Sequence, residues 1–357
     1  MVTVDKFKID AHKLMYHIPR VFRWLQDKNI YPIYAEIGLY GGCNQRCIFC
    51  ALDYLKYQPN VLDYLSLKKF ITEAAKRGIK SIMYAGEGEP LLHPKIADIV
   101  QVTKKNGIDV ALTSNAVMLS ENLAKRCLPY LSWFRASINA GRAETYSKIH
   151  KVRKQDFYTV LKNLERAAKI KNKKKYHCSI GAQFLLIPQN LSEVLILARQ
   201  IKGIGLDYLI IKPYSRHPAS NNRIDAAFKY KDTFHLEKEL AEYSDDRFRI
   251  IFRRHAMEKI GQPTPYKYCL GVSFATFITA RGDVYPCNRF FGNKDFIFGN
   301  ICNNNFRDIW LSKRRKRIMA FMRRELTTEK CRKICRLDEI NRYLWELKNP
   351  IEHVNFI

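Results

Sequence analysis

Three closely spaced cysteines are the residues of this chain most able to carry out chemistry. Cys43, Cys47 and Cys50 follow the pattern C-x3-C-x2-C. Three thiolates can ligate three irons of a cubane iron–sulfur cluster, whereas an electron-transfer site uses four. The spacing therefore predicts a cluster whose fourth iron is open to another ligand. The alternative is a zinc site, which would need a fourth protein ligand, and no histidine lies in this loop.

Four further cysteines form a second set toward the C-terminus. With the spacing C-x17-C-x43-C-x3-C, they are Cys269, Cys287, Cys331 and Cys335. Four thiolates would saturate a second cluster and make it an electron conduit. A structural zinc ion held by four cysteines is the alternative reading of this spacing.

Composition limits the class of protein. The chain has 357 residues, 47% of them hydrophobic, which allows roughly two domains with a buried core. It contains no run of 18 apolar residues, and residues 1–23 lack the apolar region of an export signal. We therefore expect a cytoplasmic protein without a membrane span. In such a compartment, clustered cysteines indicate metal ligands before disulfides.

The formal net charge of +28 favours an anionic partner. A small anionic substrate is the partner we favour. The charge also permits nucleic acid as a partner, but no recognisable RNA-binding module accompanies it.

Apolar and β-branched segments alternate with amphipathic helical patterns from residue 32 onward. The predicted strands are 32–39, 80–85, 108–113, 132–138, 177–187 and 207–212. Ser66 and Ser120 stand where helix N-caps belong, and Gly78 and Gly107 stand where helices end. Six such units predict an α/β fold, a partial (β/α)6 TIM-like barrel with its site at the carboxyl ends of the strands. The first cysteine motif falls in the loop after strand one.

The chain divides into five expected segments. They are a helical N-terminal extension (1–31), the barrel (32–230), a connecting helical segment (231–265), a small α+β auxiliary-cluster domain (266–340) and a C-terminal tail (341–357).

The cysteine motif, together with later motifs in the same order, resembles the radical S-adenosylmethionine (SAM) superfamily. Phe49 precedes the last cysteine, and residues 84–90 read Tyr-Ala-Gly-Glu-Gly-Glu-Pro, similar to the family's Gly-Gly-Glu-Pro segment. Residues 113–116 read Thr-Ser-Asn-Ala, similar to its Thr-Asn-Gly turn. Strand four ends in Ser137-Ile138-Asn139, where relatives often have Ser-x-Asp.

The resemblance implies a [4Fe-4S] cluster bound by the three cysteines together with SAM, and it implies the residues that hold SAM. Gly86 and Gly88 would let the backbone approach the methionine moiety, and a carboxylate such as Glu89 would pair with its ammonium. The full set of implied cofactor-binding residues is Phe49, Gly86, Gly88, Glu89, Ser114, Asn115, Ser137 and Asn139.

The second cysteine set resembles the C-terminal SPASM and twitch domains of the same superfamily. A full SPASM domain has about seven cysteines, whereas five occur here after residue 265, counting Cys302. The resemblance therefore implies one auxiliary [4Fe-4S] cluster, of the twitch type.

These resemblances imply a radical SAM oxidoreductase that uses an external electron donor such as flavodoxin or ferredoxin. Its substrate would be a small polar molecule such as a sugar, an aminocyclitol or a nucleotide-linked sugar, with the auxiliary cluster accepting an electron. One alternative is an epimerase that uses Cys178 or Cys302 as hydrogen donor. Another is a maturase that modifies peptides, although only about 31 residues precede the first strand. Cys127 we expect to pack within a helix. At the end of strand six, Lys212, Tyr214, Arg216 and His217 could meet an anionic substrate, as could Arg289.

Overall fold

The computed structural model of the protein describes residues 7, 8, 11–222, 224, 228–332 and 334–356. The strands in these residues are β1 (Tyr34–Ile37), β2 (Ser81–Tyr84), β3 (Asp109–Ser114), β4 (Trp133–Ser137), β5 (Ser179–Leu186), β6 (Tyr208–Pro213), β7 (Arg249–Phe252), β8 (Ala275–Ile278), β9 (Asp283–Tyr285) and β10 (Gly299–Asn300). The α-helices are α1 (Ile18–Leu25), α2 (Tyr64–Lys76), α3 (Ile96–Lys105), α4 (Glu121–Cys127), α5 (Ala143–His150), α6 (Lys154–Lys174), α7 (Val194–Gly203), α8 (His235–Ala241), α9 (Arg254–Glu258), α10 (Phe306–Leu311), α11 (Lys313–Arg324) and α12 (Asp338–Lys348). Strands β1 to β6 confirm the six predicted strands.

The strands of the described residues form one sheet in the order β10-β9-β8-β1-β2-β3-β4-β5-β6-β7. Neighbours from β8 through β1 to β7 are parallel, whereas β9 and β10 pair antiparallel. This topology confirms the α/β partial barrel. Strands β7 and β8, one at each edge, extend the six predicted strands to eight parallel ones in the described residues. Strand β7 escaped prediction because its four residues follow a charged stretch and form no long β-branched run.

Alternation along the parallel strands separates two faces. Residues such as Ile37, Phe134 and Ile211 are fully buried in one hydrophobic core together with helical residues such as Leu67 and Ile99. Their neighbours in the strand point the other way, since side chains alternate across a sheet. We call the space they enclose the barrel interior; its lining includes Glu36, Met83, Arg135, Gln183 and Lys212.

Local signals place several helix ends. Ser120 caps α4 by accepting a hydrogen bond from the Leu123 N–H, as predicted. Ser66 does not cap α2; Asp63 does, and its carboxylate accepts the Ser66 N–H at 2.7 Å. Asp63 was overlooked because the apolar pattern of α2 is clear only from Leu67 onward.

The segment 334–339 contacts two separate parts of the barrel. On one side, Arg336 forms an ion pair with Glu36 of β1. On the other, Asp338 pairs with Lys259, which follows α9, at 3.0 Å. The segment thus connects β1 with the residues that follow α9. Helix α12, which continues it, crosses the expected boundary at residue 340 and buries Leu344.

In the part of the chain that the structure describes, no helix has both the length and the apolar character needed to cross a membrane.

Candidate functional site

The first cysteine motif lies in the loop after β1, at the carboxyl edge of the barrel. The loop is fixed to the end of α5, because Arg46 N–H donates to the carbonyl of His150 at 3.0 Å and Ile48 N–H donates to that of Ile149 at 2.9 Å. Burial raises the pKa of Cys47 well above its usual range, and the nearby Cys43 and Cys50 raise it further. The structure therefore brings the three thiols together.

Burial, followed by the charge of Glu89, raises the pKa of the Cys43 thiol to about 12. The pKa of Cys50 is also raised, mainly by burial. Thiolates in such a place need cationic compensation, which bound iron supplies when a thiol becomes a ligand. The donor set and its surroundings fit a cluster site.

Within the described ranges, no group of three or more His, Cys, Asp or Glu residues converges as the ligands of a single metal ion do. A tetrahedral zinc ion holds each thiolate at about 2.3 Å from one point. Thiolates of a cubane each bind a different iron and need not converge on one point.

His150 was not predicted as part of this site. Its ring is fully buried, with Nε2 donating to the carbonyl of Ile138 at 2.7 Å and Nδ1 lying 3.1 Å from the Cys47 sulfur. Burial lowers the pKa of His150 to about 4, so the ring is neutral at pH 7. Sequence spacing gave no signal for it, because about 100 residues separate it from the motif.

The segment after β2 is held against the cysteine loop by its backbone. Glu89 N–H donates to the carbonyl of Gly42 at 2.9 Å. Gly88 has φ +65°, and a Cβ there would lie 1.9 Å from the Tyr40 carbonyl oxygen. Only glycine permits this contact with the cysteine loop. The approach to a methionine moiety expected for Gly88 stays a prediction. Gly86, with φ +106°, lies above Glu36, whose Oε1 would be 3.6 Å from a Cβ.

Glu89 joins β2 to β3. Its buried carboxylate accepts hydrogen bonds from Ser114 Oγ at 2.6 Å, Asn115 N–H at 2.8 Å and Leu91 N–H at 3.0 Å. Burial raises its pKa despite these donors. A carboxylate has about four acceptor positions. One therefore remains for a further donor, such as the ammonium expected from the motif.

Asn115 connects this network to the cysteine motif. Its Nδ2 donates to Asn44 Oδ1 at 2.6 Å. Asn44 was not predicted, although its position next to Cys43 could have suggested a role. Ser114, Asn115 and Glu89 therefore lie together beside the loop, as the motifs predicted.

Asn139, after β4, is fully buried and has φ +58°, a conformation that asparagine tolerates better than most residues. Its Oδ1 accepts the Leu185 N–H at 2.7 Å. Its Nδ2 is buried and lacks a partner among the described residues. An unpaired buried donor is costly, and a polar ligand at this end of the barrel would satisfy it. Ser137 lies nearby on β4, accepting from Gln183 Nε2 at 3.5 Å.

Phe49 packs edge-on to His150, with ring centroids 5.5 Å apart. It contacts a small cluster that includes Leu185 and Ile187 at the end of β5. The structure thus places Phe49 between the cysteine loop and β5, on the side of the site where Asn139 lies.

The second cysteine set also comes together. The pKa of Cys269 is raised first by burial and then by Cys335, Cys287 and Cys331. Three of the four thiols line a cavity of about 50 Å³. Backbone and amide groups face the sulfurs: Arg289 N–H lies 3.5 Å from Cys287 Sγ, and Leu337 N–H lies 3.4 Å from Cys335 Sγ. Such N–H···S contacts and nearby cations suit an anionic cluster.

The remaining cysteines lie elsewhere. Cys302 is exposed. After burial, the groups that affect the pKa of its thiol are Ser66, Asp63 and Asp283, none of which belongs to either cysteine set. Cys127 is buried at the end of α4. Cys178 is buried just before β5, at the amino edge of the sheet and opposite the cysteine loop.

Comparison with known proteins gives the family. A model described as the radical SAM superfamily matches residues 37–201, and one described as an iron-sulfur cluster-binding domain (SPASM) matches residues 269–336. This chain belongs to the radical SAM superfamily. It is a radical SAM enzyme with a C-terminal SPASM-type domain, and these domains imply a [4Fe-4S] cluster with SAM and an auxiliary cluster.

Individual proteins resemble this chain only at low sequence identity or over part of its length. The chain is 33% identical over 135 residues to a GTP 3′,8-cyclase of Chlorobaculum tepidum, covering 37% of this chain and 40% of that protein. It is 23% identical over 309 residues to the tungsten-containing aldehyde ferredoxin oxidoreductase cofactor-modifying protein of Pyrococcus furiosus, covering 79% and 81%.

Among solved structures, SuiB of Streptococcus suis bound to its precursor peptide SuiA matches with a TM-score of 0.67 at 16% identity. The match covers 94% of this radical SAM enzyme and 77% of SuiB. At this identity the likeness concerns the fold.

Proposed function

We propose that this radical SAM enzyme is an oxidoreductase that removes hydrogen from a secondary alcohol of a small polar substrate. The substrate classes are those expected from the sequence: a sugar, an aminocyclitol or a nucleotide-linked sugar. The clusters, when bound, supply one electron that cleaves SAM to methionine and a 5′-deoxyadenosyl radical, and an acceptor for the electron left on the substrate. We include the cytoplasmic location and an external flavodoxin or ferredoxin donor in this proposal.

One observation carries the proposal. Arg336, adjacent to Cys335, is paired with Glu36 inside the barrel, and Glu36 lies beneath Gly86 of the segment assigned to SAM. The second cysteine set and the SAM segment therefore border the same interior. An electron acceptor for an oxidation has to lie near the substrate in this way.

The chain's own groups have distinct tasks in this scheme. Glu89 would hold the SAM ammonium, and Asn139 Nδ2 would donate to an oxygen of the bound molecule. Cys43, Cys47 and Cys50 would hold the first cluster, and the second would be held by Cys269, Cys287, Cys331 and Cys335. The hydrogen atom would pass to the deoxyadenosyl carbon, the hydroxyl proton to a base and the remaining electron to the auxiliary cluster, and these three transfers would complete the oxidation to a ketone.

Two alternatives receive less support. The epimerase would need a thiol near the substrate, but Cys178 lies at the amino edge of the sheet and Cys302 is exposed outside the barrel. Peptide modification would parallel SuiB, yet that likeness concerns the fold. The C. tepidum and P. furiosus relatives are named for GTP and for an enzyme cofactor, which favours a small molecule.

The test uses anaerobically reconstituted, reduced protein with SAM and a panel of the three substrate classes deuterated at the carbinol carbons. We expect equimolar deoxyadenosine, methionine and ketone, with deuterium in the deoxyadenosine. An inverted alcohol in place of the ketone would support the epimerase. Failure to form deoxyadenosine with any substrate, by a protein shown to hold its clusters, would contradict the proposal.

A further inference from the structure

Lys212 occupies an unusual place in the barrel interior. It lies near the carboxyl end of β6, in register with Leu185 of β5. Leu209 and Ile211 of the same strand belong to the core that faces the helices. Because side chains alternate along a strand, Lys212 faces inward. The Leu185 N–H donates to Asn139 Oδ1. The lysine is thus at the level of the residues assigned to SAM.

No anion in the described chain compensates this lysine. Its Nζ has no hydrogen bond or ion pair among the described residues. After burial, the groups that most affect the pKa of Lys212 are all cations: Arg135, Arg253, Arg336 and Arg332. Burial and these charges lower the pKa of Lys212 well below its usual range. An ammonium that is partly withdrawn from water and surrounded by cations is stabilised by an anionic partner.

The surrounding arginines do not relieve this excess charge. Arg336 uses Glu36, which is buried. Arg332 donates to the carbonyl of Ser215 at 2.6 Å, a neutral partner. Arg135 lies over the Trp133 ring at 4.6 Å, and its Nε is buried without a hydrogen-bond partner in the described residues. The interior therefore has more positive than negative charge.

We infer that Lys212, with Arg135 and Arg332 nearby, forms a binding site for an oxyanion inside the barrel. The ligand is a carboxylate or phosphate group of the substrate, which narrows the proposed substrate to one that carries such a group. The identification of the ligand as part of a substrate rests on the proposed function. The anion site itself does not depend on radical chemistry. Both anions offer the oxygen acceptors that ammonium and guanidinium groups bind.

The test measures anion binding without turnover. Anaerobically reconstituted protein is titrated with inorganic phosphate and, separately, with acetate in a calorimeter. We expect saturable binding of at least one anion, weakened at least tenfold in Lys212→Gln. The anion that binds more tightly shows whether the site prefers a phosphoryl or a carboxyl group. The control is Lys173→Gln, an exposed lysine near the end of α6, which should bind like the unmutated protein.

A folding defect is distinguishable from a lost site. Iron content reports on the fold of Lys212→Gln. Its Tm without added anion should equal or exceed that of the unmutated protein, because a positive charge has been removed from among other cations. Added phosphate or acetate should raise the Tm of the unmutated protein more than that of the variant. No saturable binding, or equal weakening in both variants, would overturn the inference. Anion binding without SAM cleavage would contradict only the proposed function.

Discussion

The guanidinium of Arg336 forms an ion pair with Glu36, and thereby joins the segment after Cys335 to β1, the neighbour of β8 in the sheet. Tyr34, two residues earlier on β1, accepts a hydrogen bond from the same guanidinium at 2.8 Å. Glu36 is almost completely buried, whereas the Arg336 side chain is 43% exposed and borders two small cavities.

Glu36→Gln should destabilise the protein by about 1–3 kcal/mol. The change leaves Arg336 without its counter-ion, and the loss is smaller than the roughly 3–5 kcal/mol of fully buried pairs because the arginine is partly exposed. Urea denaturation measures the free energy of unfolding. Glu242→Gln, which alters an exposed carboxylate, is the matched control. Equal stability of both variants would show that the pair contributes nothing net.

Iron content should separate the two cysteine sets. We expect about eight irons per reconstituted chain, about four when Cys43, Cys47 and Cys50 become alanine, and about four when Cys331 and Cys335 do. Cys302→Ser should leave the count unchanged, since this exposed thiol lies apart from both sets. Iron and sulfide analysis gives the result. Four irons in the unmutated protein would remove the auxiliary cluster.

Gly88→Ala should be far more damaging than Gly107→Ala. Both glycines have positive φ, so both variants incur a backbone cost of about 1–2 kcal/mol. A Cβ at Gly107 meets nothing within 4 Å, whereas one at Gly88 would collide with the Tyr40 and Gly42 carbonyl oxygens. The second variant thus controls for strain. We expect Gly88→Ala to lose more Tm and also iron bound at the first set; similar losses in both would contradict the close packing.

Acid should weaken the fold partly through His217. Burial, followed by Arg332 and Arg289, lowers its pKa to about 4, and its Nδ1 accepts the Ala219 N–H at 3.1 Å. As the pH falls, His217 takes up a proton in the unfolded chain before it does so in the folded protein. Its contribution to the free energy of unfolding is therefore full above about pH 6.5 and declines toward pH 4. At pH 5 the loss would be roughly 2 kcal/mol.

Unfolding free energies at pH 7.5 and pH 5 test this. Their difference should be smaller in His217→Asn than in the unmutated protein. His235→Asn, at an exposed position, should keep the full difference. If His217→Asn keeps it as well, the acid sensitivity arises from other groups.

The sequence predicted the elements better than it predicted the contacts between them. β1 to β6 were recognisable because buried parallel strands are continuous apolar runs. The network of Glu89, Ser114 and Asn115 followed from motif order, since strand ends in a parallel barrel meet at one edge.

The rest depended on long-range packing. The contacts of His150 with Cys47 and of Arg336 with Glu36 join residues far apart in sequence, and neither has a spacing that a motif could reveal. The place of β8 beside β1 was not predicted, because pairing partners are set by the assembled sheet. The inward direction of Lys212 became meaningful only when its neighbours proved to be cations.

The parallel pairing of β8 with β1 has a consequence for synthesis. Tyr34 lies in register with Ala275, so β1 emerges from the ribosome long before its partner on that side exists. Until then one of its edges presents unpaired N–H and carbonyl groups, which invite pairing with another chain. Nascent chains that stop short of residue 275 should therefore aggregate or require a chaperone, even though they contain the whole of the first cysteine motif.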